Sequence, residues 1–199
     1  MMKDVSALIL AAGKSSRMGQ PKMFLDLKQG MSFLENLLIQ FADFGCHKIA
    51  VVTSKEGQKL LKKKSFAEKY LYQIVLNGYP EKQRLYSIQC GLKQLQESEY
   101  VFIQNADNPF ADLETLQKLY EKRNHADYIK PVSNNRGGHP VLISRKITKK
   151  LVELTDFEIP LNAFLNKFSY EKVEINNDHI FVNINNESDY LRLIKPKEI

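Results

Sequence analysis

A loop near the N-terminus carries the residues best suited to bind a polyphosphate. It follows the apolar run Val5–Leu10 and opens with Ala11, Ala12 and Gly13, which are small enough for a ligand to lie against the main chain. Two hydroxyls and three cations come next: Lys14, Ser15, Ser16, Arg17 and Lys22. Exposed backbone N–H groups, arginine and lysine are what bound phosphates require. The spacing matches neither the Walker P-loop nor the G-x-G-x-x-G fingerprint. We therefore predict a phosphate-binding loop of another kind, the alternative being an ordinary surface connection.

A candidate metal ligand lies just past the fourth predicted strand, at Asp107. Magnesium prefers oxygen ligands and commonly takes one or two protein groups together with phosphate oxygens. We predict that Asp107 holds Mg²⁺ beside the loop, and the alternative is that it only caps the turn before Pro109. Asn183 and Asn185 are two residues apart, so on an extended stretch both side chains point the same way and are further candidates. Taken alone, such an asparagine-rich turn is more typical of plain structure.

Two other segments carry side chains suited to contact a substrate. The predicted helix that begins near Arg84 offers its N-terminal N–H groups and Ser87 to a base edge, and Arg84 to a phosphate. Gly138 permits close approach of the main chain, and His139 beside it is predicted to contact substrate or to have a structural role. No Ser-His-Asp or Cys-His arrangement indicates a covalent nucleophile. Such a site works by positioning and charge neutralisation, which suits nucleotidyl transfer at phosphorus.

Strands and helices alternate along the first 120 residues. Apolar runs predict buried strands at Val5–Leu10, Ile49–Thr53, 72–76 and 100–103, with amphipathic helices between them. The alternation predicts a three-layer α/β/α fold, in which helices cover both faces of a mainly parallel, twisted, Rossmann-like sheet. Ligands bind beyond the carboxyl ends of such strands, and Asn77 closes the third one.

The second half of the chain gives a less regular pattern. It predicts strands at 128–132, 141–143, 170–175 and 180–182, a turn-rich loop at 133–138, and a closing helix at 188–194. No repeat or low-complexity linker divides the chain, so we expect residues 1–199 to form one domain.

Composition narrows the possible partners. The net charge of +6 permits an anionic ligand, but much of it lies in lysine runs typical of solvated helix faces, without the interleaved aromatics of a nucleic-acid platform. No segment has the length of a membrane span and no signal peptide is evident, so we expect a cytoplasmic protein that binds neither nucleic acid nor membranes. Cys46 and Cys90 lack metal-ligand spacing and are expected to be reduced thiols.

The pattern Leu10-Ala11-Ala12-Gly13-x-Ser15-x-Arg17-Met18-Gly19-x-x-Lys22 resembles the signature of the MobA-like nucleotidyltransferases. Further matches follow in the same order: Arg84-x-x-Ser87-Ile88-x-x-Gly91-Leu92, Asp107-Asn108-Pro109, Gly138-His139-Pro140 and Asn183-x-Asn185. The resemblance implies a GT-A-type nucleotidyltransferase fold. It also implies transfer of a nucleoside monophosphate from a nucleoside triphosphate to a phosphorylated acceptor, with release of pyrophosphate.

The same resemblance implies a role for each matched residue. The catalytic residues would be Arg17, Lys22 and Asp107, and Asp107 would share Mg²⁺ with Asn183 or Asn185. The nucleotide would contact Leu10, Ala11, Ala12, Gly13, Ser15, Ser16, Asn77, Arg84 and Ser87, and the acceptor would contact Gly138 and His139.

The choice of nucleotide and acceptor depends on finer features. The Ala-Ala-Gly and Gly-His-Pro segments resemble the molybdenum cofactor cytidylyltransferases, which implies that CMP moves from CTP onto molybdopterin. The Asp-Ala-Ala-Arg-Pro element of methylerythritol phosphate cytidylyltransferases is absent. Residues 156–165 depart from the molybdopterin enzymes, so a sugar phosphate or an alcohol phosphate stays open as the acceptor. A catalytically silent nucleotide-binding module is the non-enzymatic alternative.

Overall fold

The structure is a computed structural model, and it describes residues 4–13, 21–28, 30–64, 66, 69–134 and 136–194. Its strands are β1 (Val5–Leu10), β2 (Asp26–Lys28), β3 (Met31–Ser32), β4 (Ile49–Thr53), β5 (Gln73–Leu76), β6 (Tyr100–Asn105), β7 (Tyr128–Ser133), β8 (Arg136–Gly137), β9 (Val141–Ser144) and β10 (Tyr170–Glu174). Its α-helices are α1 (Phe33–Phe44), α2 (Lys55–Leu61), α3 (Gln83–Leu92), α4 (Leu113–Glu121), α5 (Arg145–Val152), α6 (Leu161–Leu165) and α7 (Glu187–Ile194).

The central sheet has the strand order β10-β7-β9-β6-β1-β4-β5, and β8 pairs with the end of β7. Strands β6, β1, β4 and β5 are parallel neighbours, as are β7 and β10. Strand β9 runs antiparallel to both β6 and β7, since the chain from β7 to β9 is too short for the crossover that a parallel pair needs. The prediction of an α/β fold with a mainly parallel sheet is confirmed.

The two faces of the sheet bury different helices. Successive side chains of a strand point to opposite faces. Ala7 and Ile9 of β1 therefore join the core beneath α1 and α4, whereas Leu8 joins the core beneath α3, α5 and α6. This burial on both sides explains why β1 is apolar at every position except Ser6, whose buried hydroxyl lies 2.7 Å from that of Ser98. Helices thus cover both faces, which gives the three predicted layers.

Several helices begin and end at residue types that favour these positions. The Ser32 side chain accepts a hydrogen bond from the Glu35 N–H at the start of α1, and Gly45 ends that helix with φ of 90°. Ser54 caps α2 in the same way, and Asp112 caps α4. Cys46 and Cys90 are free thiols, as expected.

Two local predictions are wrong, and one pair of strands was missed. The strand predicted at 180–182 is a 3-10 helix at Asp178–Phe181, because the Asn177 side chain accepts from the His179 N–H and starts a turn there. The predicted loop at 133–138 contains the two residues of β8. Strands β2 and β3 form a separate antiparallel pair that no pattern signalled, since each is only two or three residues long.

No helix in the described ranges is long and apolar enough to span a bilayer.

Helix α3 lies unusually close to the sheet. A Cβ atom built on Gly91 would overlap the side chains of Leu8 on β1 and Val52 on β4. Only glycine permits this approach, which holds the helix over the two central strands. The first turn of α3 is thereby placed above the carboxyl ends of those strands.

Replacing Gly91 with alanine is expected to lower the free energy of unfolding by about 1–3 kcal/mol, because the added methyl group overpacks the layer between α3 and the sheet. Gly78→Ala is the matched control, since a Cβ atom there meets nothing within 4 Å. That variant should stay within about 0.5 kcal/mol of the wild type. Urea denaturation measures both, and equal stability of the two variants would contradict the close packing of α3.

Candidate active site

A cleft of about 400 Å³ opens at the carboxyl ends of β1, β5 and β6. Nine residues that the sequence assigned to the site line it: Leu10, Ala11, Ala12, Gly13, Lys22, Asn77, Arg84, Ser87 and Asp107. Met23, Gln83, Asn105 and Ala106 line it as well and were missed. The predictions for Ser15, Ser16 and Arg17 fall outside the described residues. The structure therefore brings together residues that are up to 97 positions apart, from Leu10 to Asp107.

The floor of the cleft is where β1 leaves the sheet. Leu10 is paired with Val52 on one side and Asn105 on the other. The Ala11 N–H still donates to the Val52 carbonyl at 2.8 Å, so the chain stays extended up to that point. The small side chains of Ala11 and Ala12 then leave room for a ligand against the main chain.

The charged half of the cleft is lined by Lys22, Asp107 and Arg84, and the first two form an ion pair. The Lys22 Nζ lies 3.9 Å from the Asp107 Oδ2, and their side chains are 19% and 30% exposed. Lys22 begins a 3-10 helix whose next residues, Met23 and Phe24, are buried and so anchor it. Asp107 follows β6, and its backbone carbonyl accepts from the Ile184 N–H at 2.8 Å.

The carboxylate of Asp107 is incompletely satisfied by the protein. Its Oδ1 is buried and has no hydrogen-bond partner among the described residues. Desolvation raises the pKa of Asp107, while the positive charges of Lys22 and Arg84 act in the opposite direction. A buried carboxylate oxygen without a partner fits a hard cation, because such a cation takes one or two carboxylates and completes its shell with phosphate oxygens and water.

The remaining metal candidates are less well placed. Within the part of the chain that the structure describes, no group of three or more histidine, cysteine, aspartate or glutamate side chains is arranged to hold a metal ion. The hydrogen bond from Ile184 holds Asn183 and Asn185 next to Asp107 in the chain path, but both side chains are exposed and neither lines the cleft. A cation at Asp107 would therefore depend on ligand oxygens.

The first turn of α3 forms the opposite wall. Its N-cap residue, Lys82, makes no side-chain cap, so the first N–H groups of the helix are left for other partners. Gln83 has φ of 59° and ψ of −169°, a backbone conformation that glycine adopts far more readily. The Arg84 side chain is exposed to solvent on one side and surrounded by protein atoms on the other. Partial desolvation lowers the pKa of its guanidinium group, and the negative charge of Asp107 acts in the opposite direction.

Asn77 and Ser87 form a buried polar pair at the inner end of the cleft. The Asn77 Nδ2 donates to the Ser87 Oγ at 2.8 Å, and the Asn77 Oδ1 accepts from the Tyr79 N–H at 2.8 Å. Because the Ser87 oxygen accepts from Asn77, its own hydroxyl hydrogen is available to an acceptor on a ligand. A base carbonyl or ring nitrogen has that property.

Gly138 and His139 lie behind the cleft and not in its lining. A Cβ atom on Gly138 would approach Phe181 and the Ile180 carbonyl to about 3 Å, so the glycine serves close packing there. The His139 Nε2 lies 3.1 Å from the Asn105 Nδ2, and Asn105 does line the cleft. Desolvation, with a smaller contribution from Arg84, lowers the pKa of His139 to about 4.

A second, smaller groove of about 240 Å³ joins the cleft at Gln83 and Arg84, which line both. Its other walls are mostly apolar: Leu85, Phe157, Ile159, Pro160, Leu161 and Asn162. The Phe157 ring packs edge-on against Tyr86 with centroids 5.2 Å apart. The lining residues from Phe157 to Asn162 belong to the 156–165 segment in which the sequence departs from the molybdopterin enzymes.

Comparison with known proteins points to one family. The MobA-like NTP transferase domain matches residues 7–171. The molybdenum cofactor cytidylyltransferase of Escherichia coli (strain K12) is 29% identical over 190 residues, which cover 96% of this chain and 95% of that protein. A probable molybdenum cofactor guanylyltransferase of Clostridium perfringens is 28% identical and covers 98% of each chain. A solved nucleotidyl transferase from Methanothermobacter thermautotroptrophicus superposes with a TM-score of 0.78, at 22% identity over 95% of each chain.

The lowered pKa of His139 predicts a pH dependence of stability. Between about pH 6.5 and pH 4 the unfolded chain takes up a proton at this residue and the folded chain does not, so the free energy of unfolding falls as the pH is lowered. Between pH 7 and pH 5 the wild type should lose about 2 kcal/mol more than His139→Gln, which has no titrating ring. Urea denaturation at both pH values measures this. Parallel pH profiles for the two proteins would show that His139 titrates normally.

Proposed function

Because the chain belongs to the MobA-like NTP transferase family, we propose that it is a magnesium-dependent cytidylyltransferase that moves CMP from CTP onto molybdopterin. Nucleotidyl transfer is the chemistry of the family. The observation that supports a magnesium-dependent reaction is the Lys22–Asp107 pair near the carboxyl end of β1, in which one buried carboxylate oxygen of Asp107 has no partner among the described residues. The cytidylyltransferase of Escherichia coli supports the choice of nucleotide and acceptor, since the similarity spans nearly the whole of both chains.

In the proposed reaction, an oxygen of the acceptor phosphate attacks the α-phosphorus of CTP in line. A new P–O bond forms while the bond between the α-phosphorus and the bridging oxygen breaks, and pyrophosphate leaves with that electron pair. Lys22 neutralises charge on the phosphates, as does Arg84 from the opposite wall. Arg17 is proposed to share this role. Asp107 would hold Mg²⁺ together with phosphate oxygens of the nucleotide, and the bound ion would supply Lewis-acid stabilisation of those oxygens. Asn183 and Asn185 lie outside the cleft lining and are not needed for this role.

The polar pair at the inner end of the cleft is proposed to face the base. Ser87 can donate its hydroxyl hydrogen to the cytosine carbonyl or ring nitrogen, while Asn77 holds the serine in place. The main chain at Ala11, Ala12 and Gly13 lies beneath the nucleotide. These small residues admit a ligand but do not by themselves distinguish cytosine from guanine.

The groove beside Arg84 supports a location for the acceptor. Its wall is apolar on one side, and Arg84 stands where the groove meets the charged cleft. An acceptor with a flat ring system and a phosphorylated tail matches that change from apolar to cationic. The acceptor phosphate would then contact Arg84 on the side from which the α-phosphorus is attacked. Gly138 and His139 would not contact the acceptor and would instead support the residues that line the cleft.

Asp107→Asn and Lys22→Ala should each lower pyrophosphate release from CTP and molybdopterin by at least about a hundredfold, because each removes a charge that acts on the phosphates. Both side chains are partly exposed, so the fold should be retained and thermal unfolding can verify it. The matched control is Lys48→Ala, which breaks the surface ion pair with Glu97 at 3.0 Å. That variant should keep wild-type turnover. Full activity of Asp107→Asn would overturn the metal assignment.

A nucleotide screen tests the choice of base. In the presence of Mg²⁺, CTP at a hundred times its Kd should stabilise the folded protein by about 2.7 kcal/mol, which raises the Tm by several degrees. GTP at the same concentration should give a much smaller shift, and ATP and UTP serve as controls. A larger shift with GTP would make the protein a guanylyltransferase. Binding without pyrophosphate release from any phosphorylated acceptor would support the silent module instead.

A further inference from the structure

Asn105 is a residue of the cleft to which no role is yet assigned, and its side chain is held by an unusual partner. Strand β9 runs antiparallel to β6, with Ile103 opposite Val141. Continuing this register two residues further places Asn105 opposite His139. The Asn105 Nδ2 lies 3.1 Å from the His139 Nε2, and the asparagine lines the cleft while the histidine lies behind it.

The contact determines which atom of the amide is left for a ligand. An amide NH₂ group only donates, so the His139 Nε2 must accept, and the ring proton then resides on Nδ1. The His139 Nδ1 is buried and has no hydrogen-bond partner among the described residues, so the contact with Asn105 is the hydrogen bond that determines the tautomer. The strong desolvation of His139 keeps the ring neutral, as this arrangement requires. Among the described residues, nothing donates to the Asn105 Oδ1.

We propose that Asn105 is a specificity residue whose Oδ1 accepts a hydrogen bond from a ribose hydroxyl of the bound nucleotide, and that His139 is the positioning residue that orients it. A phosphate cannot be the partner of Oδ1, because it offers no hydrogen to an acceptor. Asn105 is paired with Leu10 at the floor of the cleft, and Asp107 follows two residues later. It therefore lies on the floor of the cleft beside the residues proposed to bind the phosphates, and the ribose is the part of a nucleotide that is joined to those phosphates and carries hydroxyl donors.

This inference rests on the proposed nucleotide site but not on the identity of the base. The test measures binding by calorimetry in Mg²⁺ without acceptor, using CTP and its 2′-deoxy and 3′-deoxy forms, or the GTP series if GTP is the nucleotide that binds. Asn105→Ala should weaken the ribonucleotide about three- to tenfold, the usual effect of one hydrogen bond. It should leave the affinity for the deoxynucleotide that lacks the contacted hydroxyl unchanged.

Variants of His139 separate positioning from a general structural role. His139→Leu removes the acceptor for Asn105 and should weaken the ribonucleotide, whereas His139→Gln keeps an acceptor oxygen and should bind nearly as the wild type does. In the Asn105→Ala background, His139→Leu should cause no further loss of affinity. Thermal unfolding verifies the fold of each variant, and the asparagine variant with the three nucleotides decides the question if His139→Leu does not fold.

Two outcomes would overturn the inference. In the first, Asn105→Ala binds all three nucleotides as tightly as the wild type does. In the second, its affinity falls by the same factor for all three. If the wild type binds neither CTP nor GTP, the proposed function itself fails, and that result is distinct from both.

Discussion

Parallel pairing of β1 between β4 and β6 is the constraint on which the cleft depends. Because all three strands run the same way, they end at one edge of the sheet, and Leu10 is bonded to neighbours on both sides there. Burial of β1 on both faces makes any shift of this register costly, since a shift by one residue would exchange its two cores. The edge on which Ala11 and Asn105 stand is therefore held as rigidly as the core itself.

The charged half of the site differs from the rest of the charged surface in its exposure. The control pair Lys48 and Glu97 is shorter, at 3.0 Å, but its side chains are 42% and 83% exposed and are well solvated. Lys22 and Asp107 are 3.9 Å apart and much less exposed, so water screens the attraction between them less. The net charge of +6 therefore does not describe the site, because only two of the described cations, Lys22 and Arg84, line the cleft.

Local signals predicted most of the fold, and long-range contacts account for what they missed. The apolar residues of β1 are adjacent in the sequence, so this strand was predicted with the bounds that the structure shows. Residues that line the cleft were found where a strand end carried charged or small residues, as at Asp107. Asn105 was missed because its partner, His139, is 34 residues away and meets it only through the antiparallel pairing of β9. The Asp178–Phe181 turn was missed because buried apolar residues such as Ile180 occur in strands and 3-10 turns alike.

The groove beside Arg84 has walls of two different origins. One wall is the first turn of α3, and the contact of Gly91 with the sheet keeps that helix in place. The other wall, from Phe157 to Asn162, comprises the end of the connection between α5 and α6 and the first residues of α6, and it contributes no strand to the sheet. Substitutions in this segment would reshape the proposed acceptor groove without changing the strand ends that form the cleft. A fold divided in this way can diverge in what it modifies while it conserves what it transfers.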